Sequence, residues 1–512
     1  MDYVTLLTKH AKEKPDTPYI ILRHQQITYG KAYKDVCSFV VPEWKEQFPE
    51  NYKTSVLIQT QNLYHQLLAF LAVMGAGQIP IIGHYDLPED AEKQLVEKNR
   101  IGFVLEEAEN RWTLKQGVPV APHDVVQTKN SNDIKRMQGM TEAASNMQRE
   151  LQTVLPASAA NQNEKVAAAF VPAKVPYQNA CMGVLSSGST DVPKVMYRTY
   201  DSWAGFMPEQ NRRFCIDGSS VVFTEGSFSF TGNLNIWASV LYAGCTLTIS
   251  EVFNCRQWLE VIDVYQVSVL YLVPAKLKML TRYFKHEHLS MKMILAGSQL
   301  LGAATAEKLK KYFPESEIIL YYGASELNYI TWLNYEEVLR FPDSVGKPVP
   351  GVRVWVENGL IYIDTPYHVE GLKQPCTLHD TGYFNEEGYL LFNGRENDII
   401  NKGGFKISYT KVENALCSLP EVVQAVVLPY EDVGRGQESA AFLVCEKEVS
   451  VLDLRQRLRK ILMQQEMPKK IIVLPGIPLN SRGKTNRDAL LKMLDEKKEN
   501  VANYFTTLQN GK

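Results

Sequence analysis

The sequence predicts a mixed α/β protein whose large N-terminal part is layered and whose C-terminal part is a smaller α+β domain. Apolar strand-like runs alternate with helical segments twice along the chain, which is typical of parallel sheets covered by helices. Short alternating runs with Gly, Pro and Asn turns follow between 345 and 393, and they indicate antiparallel strands. Further strands and an amphipathic helix after about residue 395 are sufficient for a separate small domain.

The first layered unit begins with helical apolar spacing over residues 4–13 and continues with a strand-like run at 19–23. A strand, a helix and a second strand are then predicted at 55–60, 67–77 and 79–82. This order is that of a βαβ unit, so the first sheet is expected to be parallel.

The second layered unit, between 219 and 330, contains the apolar strands SVVF, TLTIS, SVLYLV, MKMILAG and EIILYYG. Continuous apolar runs of this kind suit strands that are covered on both faces. The antiparallel part contains VRVWVENGLIYI and GYLLFNG, and the C-terminal part contains VVQAVVLP, AAFLVCE and the helical VLDLRQRLRKILMQQ.

The length and composition are those of a large globular protein. A chain of 512 residues exceeds one ordinary hydrophobic core, so two or more domains are expected. Hydrophobic residues make up 45% and charged residues 22%. The formal net charge is −2 without a basic block, which gives no electrostatic basis for binding nucleic acid. The chain also lacks a run of about 18 apolar residues, so no transmembrane segment is predicted.

The eight cysteines are scattered through apolar segments without a CxxC pair, so they are expected to be reduced core residues. The first residues lack the basic region, apolar run and small-residue cleavage site of a secretory signal. A cytoplasmic location is therefore expected.

The most informative segment is the loop Ser186–Lys194, which follows the apolar run CMGVL and contains Ser187, Gly188, Ser189 and Thr190. A strand that runs into such a loop suits a polyphosphate, because hydroxyls and backbone N–H groups donate to the oxygens and lysine supplies positive charge. The same composition is ordinary in turns, so the loop alone leaves a simple polar turn open.

Two other nucleotide motifs are excluded. The segment GKT at 483–485 resembles the end of a Walker loop, but Pro478 stands where the first glycine of that loop is required. The segment GAG at 75–77 begins like a dinucleotide fingerprint, but Pro80 replaces the last glycine.

Together with four later segments in the same order, the loop resembles that of the adenylate-forming superfamily: acyl-CoA synthetases, peptide-synthetase adenylation domains and luciferases. The family loop reads approximately Thr-Ser-Gly-Ser/Thr-Thr-Gly-x-Pro-Lys-Gly. This chain matches it from Ser187 to Thr190 and again at the Pro-Lys pair that ends at Lys194. It departs at Asp191 and Val195, where the family has glycine. Because a carboxylate would repel a triphosphate, Asp191 must turn outward or weaken ATP binding.

The segment YYGASE at 321–326 resembles the family motif Tyr-Gly-x-Thr-Glu. The resemblance implies that Tyr322 stacks on adenine and that Gly323 belongs to the nucleotide site. It also implies that Ser325 contacts the α-phosphate and that Glu326 holds magnesium, since carboxylate and phosphate oxygens are the hard ligands that Mg²⁺ prefers. By itself, the segment leaves open a turn whose glutamate is only solvated.

Asp380 lies in the sequence Leu-His-Asp, where the family has Thr-Gly-Asp, and the resemblance implies that it accepts the two ribose hydroxyls. Arg395 lies in a segment that resembles the family's Gly-Arg-x-Asp-Asp hinge motif, and it is implied to reach the ribose as well. Asn397 falls on the hinge, where asparagine tolerates unusual backbone dihedrals.

Gly403 and Gly404 lie in a segment that resembles the family loop that covers the active site when the thiol enters. Paired glycines let backbone approach a slim pantetheine arm, although spacing alone leaves a plain Gly-Gly turn open. Lys484 lies in a segment that resembles the terminal motif whose lysine catalyses adenylation.

The resemblance also implies that the antiparallel part is a barrel-like subdomain and that the small C-terminal domain is mobile. Residues 1–394 would form the AMP-binding domain and residues 395–512 the mobile domain.

The implied activity is activation of a small-molecule carboxylic acid by ATP and Mg²⁺ to an acyl-adenylate, followed by transfer to a thiol, with CoA as the first expectation. Phe230 and Thr231 fall in the substrate-pocket segment. Members that activate amino acids carry an aspartate at the position of Thr231, so a fatty or aryl acid is expected instead. Two alternatives stay open: a ligase that loads the phosphopantetheine of an acyl carrier protein, and a nucleotide-binding relative without turnover.

Overall fold

The computed structural model describes residues 2–39, 53–85, 87–109, 111–119, 175–177, 179–186, 192–297, 299–396, 398–402, 405–432, 436–478 and 485–496. Within these ranges no helix is long and apolar enough to cross a bilayer. The eight cysteines all lie in these ranges and are free thiols, as predicted. The expectation that they are core residues is wrong for Cys215, which is exposed, whereas Cys245 and Cys255 are buried.

The helices commonly begin at a side-chain cap that accepts one of the unpaired N–H groups of the first turn. Asp2 caps the first helix by accepting from Thr5 N at 2.7 Å, and Asn334 forms a capping box with Glu337. The helices are α1 Tyr3–Glu13, α2 Tyr29–Ser38, α3 Leu63–Gly75, α4 Glu89–Lys98, α5 Tyr200–Ala204, α6 Met207–Arg213, α7 Thr231–Ala243, α8 Cys255–Val264, α9 Pro274–Leu280, α10 Ala303–Tyr312, α11 Tyr335–Arg340, α12 Tyr409–Cys417, α13 Val451–Leu458 and α14 Arg487–Glu496.

The strands of the N-terminal part are β1 Pro18–Leu22, β2 Gln25–Thr28, β3 Ser55–Gln59, β4 Ile79–Ile82, β5 Phe103–Ala108, β6 Arg111–Gln116, β7 Ala180–Leu185, β8 Val195–Thr199, β9 Val221–Glu225, β10 Thr246–Ser250, β11 Val269–Tyr271, β12 Met293–Gly297, β13 Glu317–Ala324, β14 Asn328–Asn334, β15 Ser344–Pro348, β16 Arg353–Glu357, β17 Leu360–Asp364, β18 Cys376–Phe384 and β19 Leu390–Arg395. The C-terminal strands are β20 Ile399–Lys402, β21 Phe405–Ser408, β22 Val422–Asp432, β23 Gly436–Cys445 and β24 Lys470–Val473.

The first sheet has the strand order β6-β5-β3-β4-β7-β8. Its centre is parallel, since β3 pairs in parallel with both β4 and β5. Every residue of β3 and β4 is buried, as expected of strands covered on both faces. The predicted parallel βαβ unit is therefore present.

The second sheet has the order β16-β17-β18-β19-β15-β14-β13-β12-β11-β9-β10-β1-β2. From β1 to β13 its central pairs are parallel, and from β13 onward the strands pair antiparallel. The predicted second layered unit and the predicted antiparallel part are thus one continuous sheet. The mixed α/β class with a large N-terminal part and a smaller C-terminal domain is confirmed.

The main core lies between the two N-terminal sheets. Helices α3 and α7 are buried on nearly all sides, which explains why their sequences are apolar without a polar face. Trp237 of α7 is fully buried, and its indole N–H donates to Tyr19 OH at 2.5 Å. This burial fixes the position of Thr231, the first residue of α7.

The C-terminal strands form a five-stranded sheet with its own apolar core. This domain contacts the large one through α9: the amine of Lys278 donates to the carbonyls of Val422 and Cys417, and Arg282 pairs with Glu446 at 3.0 Å. The domain boundary at 394/395 stays a prediction.

Candidate active site

The described ends of the Ser186–Lys194 loop meet at the mouth of the β7–β8 hairpin. Ser186 N donates to Lys194 O at 2.8 Å, and Lys194 N donates to Ser186 Oγ at 2.9 Å. Asn99 braces the same place, since its side chain donates to Pro193 O at 2.9 Å and accepts from Val195 N at 2.7 Å. The lysine side chain remains exposed at the neck of the loop.

The segment that carries Tyr322 to Glu326 is the end of β13 and the tight turn into β14. Gly323 is required there, because a Cβ atom at this position would lie 2.6 Å from Asn328 O. Ser325 Oγ donates to Thr231 Oγ1 at 2.8 Å. The turn and the first residue of α7 are therefore in direct contact.

A buried arginine that could not be singled out from the sequence forms hydrogen bonds to this turn. Arg198 of β8 is 0% exposed, and its guanidinium donates to Ser325 O at 2.6 Å, Tyr367 O at 3.0 Å and Ser202 O at 3.2 Å. Burial lowers the pKa of Arg198 to about 10, while the negative charge of Glu326 opposes that shift. The guanidinium therefore stays charged at neutral pH beneath the turn.

A second polar group joins three residues from three different strands. Asp380 of β18 lies opposite Arg395 of β19 in register, and Arg395 Nε donates to Asp380 Oδ1 at 3.2 Å. Tyr322 OH donates to the other oxygen, Oδ2. The Tyr322 ring lies 5.7 Å from that of Phe392. Tyr322, Asp380 and Arg395, predicted separately along the sequence, are thus brought together.

Asp380 is a buried carboxylate with 4% exposure, whereas the Arg395 side chain is 59% exposed. Burial raises the pKa of Asp380, and the hydrogen bond from Tyr322 and the positive charge of Arg395 partly offset this effect. Burial also raises the pKa of Tyr322, so its hydroxyl stays protonated and keeps donating. The group therefore presents a carboxylate next to a half-buried aromatic ring.

The segment before α7 rests on a polar chain that the sequence analysis also missed. His84 Nδ1 lies 2.9 Å from Ser229 Oγ, which lies 2.9 Å from Ser227 Oγ. Gln66 of α3 accepts from Phe228 N at 3.0 Å. Because these contacts join residues far apart in sequence, no local pattern could have predicted them. They fix the backbone that presents Phe230 and Thr231.

Several predicted residues lie outside the described ranges: Ser187, Gly188, Ser189, Thr190, Asn397, Gly403, Gly404 and Lys484, together with the departing Asp191. The hinge is described on either side of Asn397, where Asp398 N donates to Arg395 O at 2.9 Å. Within the described residues, Glu326 is a half-buried carboxylate in the turn above Arg198. A lone carboxylate suits Mg²⁺ when phosphate oxygens of a substrate supply further ligands.

Sequence models of one enzyme family match most of the chain. The model of the AMP-binding enzyme matches residues 7–362, and the model of the AMP-binding enzyme C-terminal domain matches residues 411–484.

Individual proteins resemble the chain at lower identity. An uncharacterized acyl-CoA ligase, YhfT, of Bacillus subtilis (strain 168) is 28% identical over 328 residues, which are 61% of this chain and 68% of that protein. A putative long chain fatty acid-CoA ligase, VraA, of Staphylococcus haemolyticus (strain JCSC1435) is 25% identical over 324 residues, 60% of this chain and 68% of VraA. The structure of O-succinylbenzoate coenzyme A synthetase (MenE) from Bacillus subtilis with ATP and magnesium has the same fold, with a TM-score of 0.73, 19% identity and coverage of 95% and 99% of the two chains.

We predict that Arg198→Met destabilises the protein by on the order of 3 kcal/mol or more, because it leaves one buried and two partly buried carbonyls without their charged donor. Urea unfolding would measure the change. Arg212→Met is the matched control, since the Arg212 side chain is 70% exposed and, within the described residues, its ion pair is with Glu209 on the surface, so a much smaller loss is expected. Equal losses in the two variants would contradict the role of Arg198.

Proposed function

The chain belongs to the AMP-binding enzyme family, and from this premise we propose that its site activates a carboxylic acid with ATP and Mg²⁺ and passes the acyl group to CoA. The protein is then an AMP-forming acid–thiol ligase. The observation that carries the proposal is the contact of Asp380 with both Tyr322 and Arg395, which joins a ring, a carboxylate and a cation at one place. The free thiols of its cysteines support a cytoplasmic location.

The nucleoside would bind at this group. A planar ring stacked on Tyr322 leaves Asp380 free to accept from the two ribose hydroxyls, and the exposed part of Arg395 is available to the ribose. Tyr322 and Arg395 already use one hydrogen bond on each oxygen of Asp380, yet each carboxylate oxygen has a second lone pair for a ligand.

The phosphates would extend from there toward the turn and the Ser186–Lys194 loop. Ser325 lies three residues after Tyr322 on the same hairpin, which suits contact with the α-phosphate. Ser187, Gly188, Ser189 and Thr190 would donate to the distal phosphates, and Lys194 would supply charge. Glu326 would hold Mg²⁺, which neutralises phosphate charge when bound.

In the first half-reaction a carboxylate oxygen of the acid forms a bond to the α-phosphorus, and the bond to the pyrophosphate oxygen breaks. Positioning and charge stabilisation do most of the work in such a displacement, and Lys484 would supply a cation. In the second, the thiol sulfur bonds to the acyl carbon, its proton is lost, and AMP departs with the electron pair of the acyl–oxygen bond. Rotation at Asn397 would withdraw Lys484 and bring Gly403 and Gly404 to the thiol.

The side chains around Thr231 indicate how deep the acid can reach. Neighbouring strand residues point to opposite faces, so Tyr321 lies on the face opposite to Tyr322. Tyr321 OH lies 3.0 Å from Tyr271 OH, and a Cβ atom at Gly232 would lie 2.1 Å from that same Tyr271 oxygen. A Cβ atom at Gly297 would lie 2.3 Å from the Tyr321 ring.

The two tyrosines therefore fill the space directly behind Thr231, where the acyl group would extend. A long acyl chain has no room to continue past them without moving both rings out of their packed positions. Within the predicted fatty and aryl classes, we propose a short-chain or single-ring acid.

The proposed activity is tested by ATP–pyrophosphate exchange across short, long and aryl acids, followed by thioester formation with CoA or an acyl carrier protein. Lys484→Ala should lower adenylate formation by about 100- to 1000-fold, because one cation aimed at the transition state is lost. Lys492→Ala is the matched control, since Lys492 is an exposed lysine of α14 in the same domain. Absence of exchange with every acid would leave a nucleotide-binding relative without turnover, and full activity of Lys484→Ala would exclude that lysine.

We predict that AMP affinity falls on acidification at a higher pH than for an ordinary aspartate. The pKa of Asp380 is raised, so its carboxylate is protonated, and loses acceptor capacity, as the pH drops through that raised value. Tyr322 donates to the carboxylate and lowers this pKa, so Tyr322→Phe should move the loss to still higher pH. Calorimetric titration of AMP into the protein, repeated from about pH 4 to 8, measures this loss of affinity. If the loss of AMP affinity at low pH were unchanged in Asp380→Asn, a group other than Asp380 would be responsible for it.

We predict that Tyr321→Ala shifts acid preference toward longer chains by at least tenfold, expressed as the ratio of exchange rates with a medium-chain and a short-chain acid. Removing the ring opens the space against Gly297. Tyr321→Phe keeps the ring and loses the hydrogen bond to Tyr271, so its acid preference should match that of the unmodified protein. Efficient exchange by the unmodified protein with long fatty acids would contradict the proposed short pocket and leave the activity itself intact.

A further inference from the structure

Two histidines and an aspartate converge on the surface of the large domain. Asp263 lies in the last turn of α8, and His286 and His288 lie in the connection between α9 and β12. His288 Nδ1 is 2.5 Å from Asp263 Oδ1, and His286 Nε2 is 3.1 Å from Asp263 Oδ2. One ligand atom from each residue lies within 4.8 Å of the others.

The fold holds these side chains in place. His288 is 3% exposed, its ring packs against Phe284 and Phe313, and its backbone N–H donates to Tyr312 O at 2.8 Å. The His286 ring lies 4.6 Å from that of His288. The His288 ring is therefore held against Asp263 by packed side chains, whereas His286 approaches Asp263 from the solvent side.

The position of Asp263 favours a cation. The last turn of a helix carries partial negative charge from its free carbonyls, and α8 has no basic residue in that turn. A carboxylate placed there is electrostatically unfavourable unless positive charge lies next to it.

We propose that Asp263, His286 and His288 form a zinc site. Two imidazole nitrogens and one carboxylate oxygen are ligands typical of Zn²⁺, whereas Mg²⁺ prefers oxygen alone. The fourth tetrahedral position faces solvent, because the His286 side chain is 62% exposed and that of Asp263 is 40% exposed. The site is separate from Glu326 and its chemistry differs from that of the nucleotide-bound magnesium.

The burial of His288 sets the expected affinity. Among the described residues, its Nε2 is buried and has no hydrogen-bond partner. When Nδ1 binds the metal, the proton must sit on Nε2, where it meets aromatic neighbours instead of an acceptor. This cost argues for a micromolar dissociation constant and against the much tighter binding of closed structural zinc sites.

Bound zinc would cross-link the end of α8 to the segment that leads into β12. Strand β12 ends at Gly297, against which Tyr321 packs, so the cross-link would restrict the motion of one side of the proposed acid pocket. Since binding selects the folded state, zinc should raise the unfolding temperature.

Zinc chloride is titrated calorimetrically into the full-length, chelator-treated protein in a non-chelating buffer, and thermal unfolding is followed in parallel. We expect one zinc ion per chain at micromolar affinity and a rise of about 2 °C or more in unfolding temperature. His286→Ala and Asp263→Asn should each weaken binding at least tenfold and remove the thermal shift. His286 is exposed, so its substitution should leave the fold intact.

His24→Ala is the matched control, because His24 is an exposed histidine outside the cluster, and its zinc affinity should be unchanged. Stoichiometric binding that persists in His286→Ala and Asp263→Asn would place the zinc elsewhere and overturn the proposal. Absence of binding to the unmodified protein, or an equal thermal shift with magnesium chloride, would overturn it as well.

Discussion

The site depends on one buried charge. Arg198 lies in β8, the strand that follows the Ser186–Lys194 loop, and its guanidinium donates to Ser325 O in the turn before β14 and to the carbonyls of Ser202 and Tyr367. Burial of a guanidinium is costly unless its donors find acceptors. Three carbonyls accept from the two terminal nitrogens of Arg198, and the face of Trp203 lies 5.0 Å away, whereas Nε has no partner among the described residues. The first sheet and the turn of the second are thereby locked together. The loop and the turn would share one triphosphate. They cannot move apart without leaving the Arg198 charge buried and without its acceptors.

A similar balance governs Asp380. Its burial raises the free energy of the ionised carboxylate, and the hydroxyl of Tyr322 and the guanidinium of Arg395 recover part of that cost. Arg395 comes from the neighbouring strand β19 and Tyr322 from the more distant β13, so the register of β18 against β19 and the course of β13 decide whether the carboxylate stays charged. A group held in this way is preorganised for hydroxyl donors, because its oxygens are already oriented before a ligand arrives.

The sequence was sufficient to predict those strands whose signal is a local run of residues. The strands at Ile79–Ile82 and Thr246–Ser250 coincide with the predicted runs, because continuous apolar stretches leave a strand little freedom in its limits. The grouping of Tyr322, Asp380 and Arg395 could be expected only from the family resemblance, since hydrophobic periodicity does not report side-chain contacts. Arg198 and the link from His84 to Ser229 could not be predicted, because both depend on strands and helices that meet across more than a hundred residues of sequence. The continuity of the parallel and antiparallel parts through β13, β14 and β15 was hidden for the same reason.

In the proposed site, strand β13 would serve two unlike substrates. Alternation along a strand sends adjacent side chains to opposite faces, so Tyr322 turns to Asp380 while Tyr321 turns to Tyr271. The nucleoside and the acid would therefore lie on either side of the same two residues, and their reacting groups would meet where the strand ends, at Ser325. Thr231 accepts a hydrogen bond from Ser325 at that point, which places the first turn of α7 beside the junction. A change in acid preference would then need substitutions on one face of β13, and the nucleotide face could stay constant while the acid face varies.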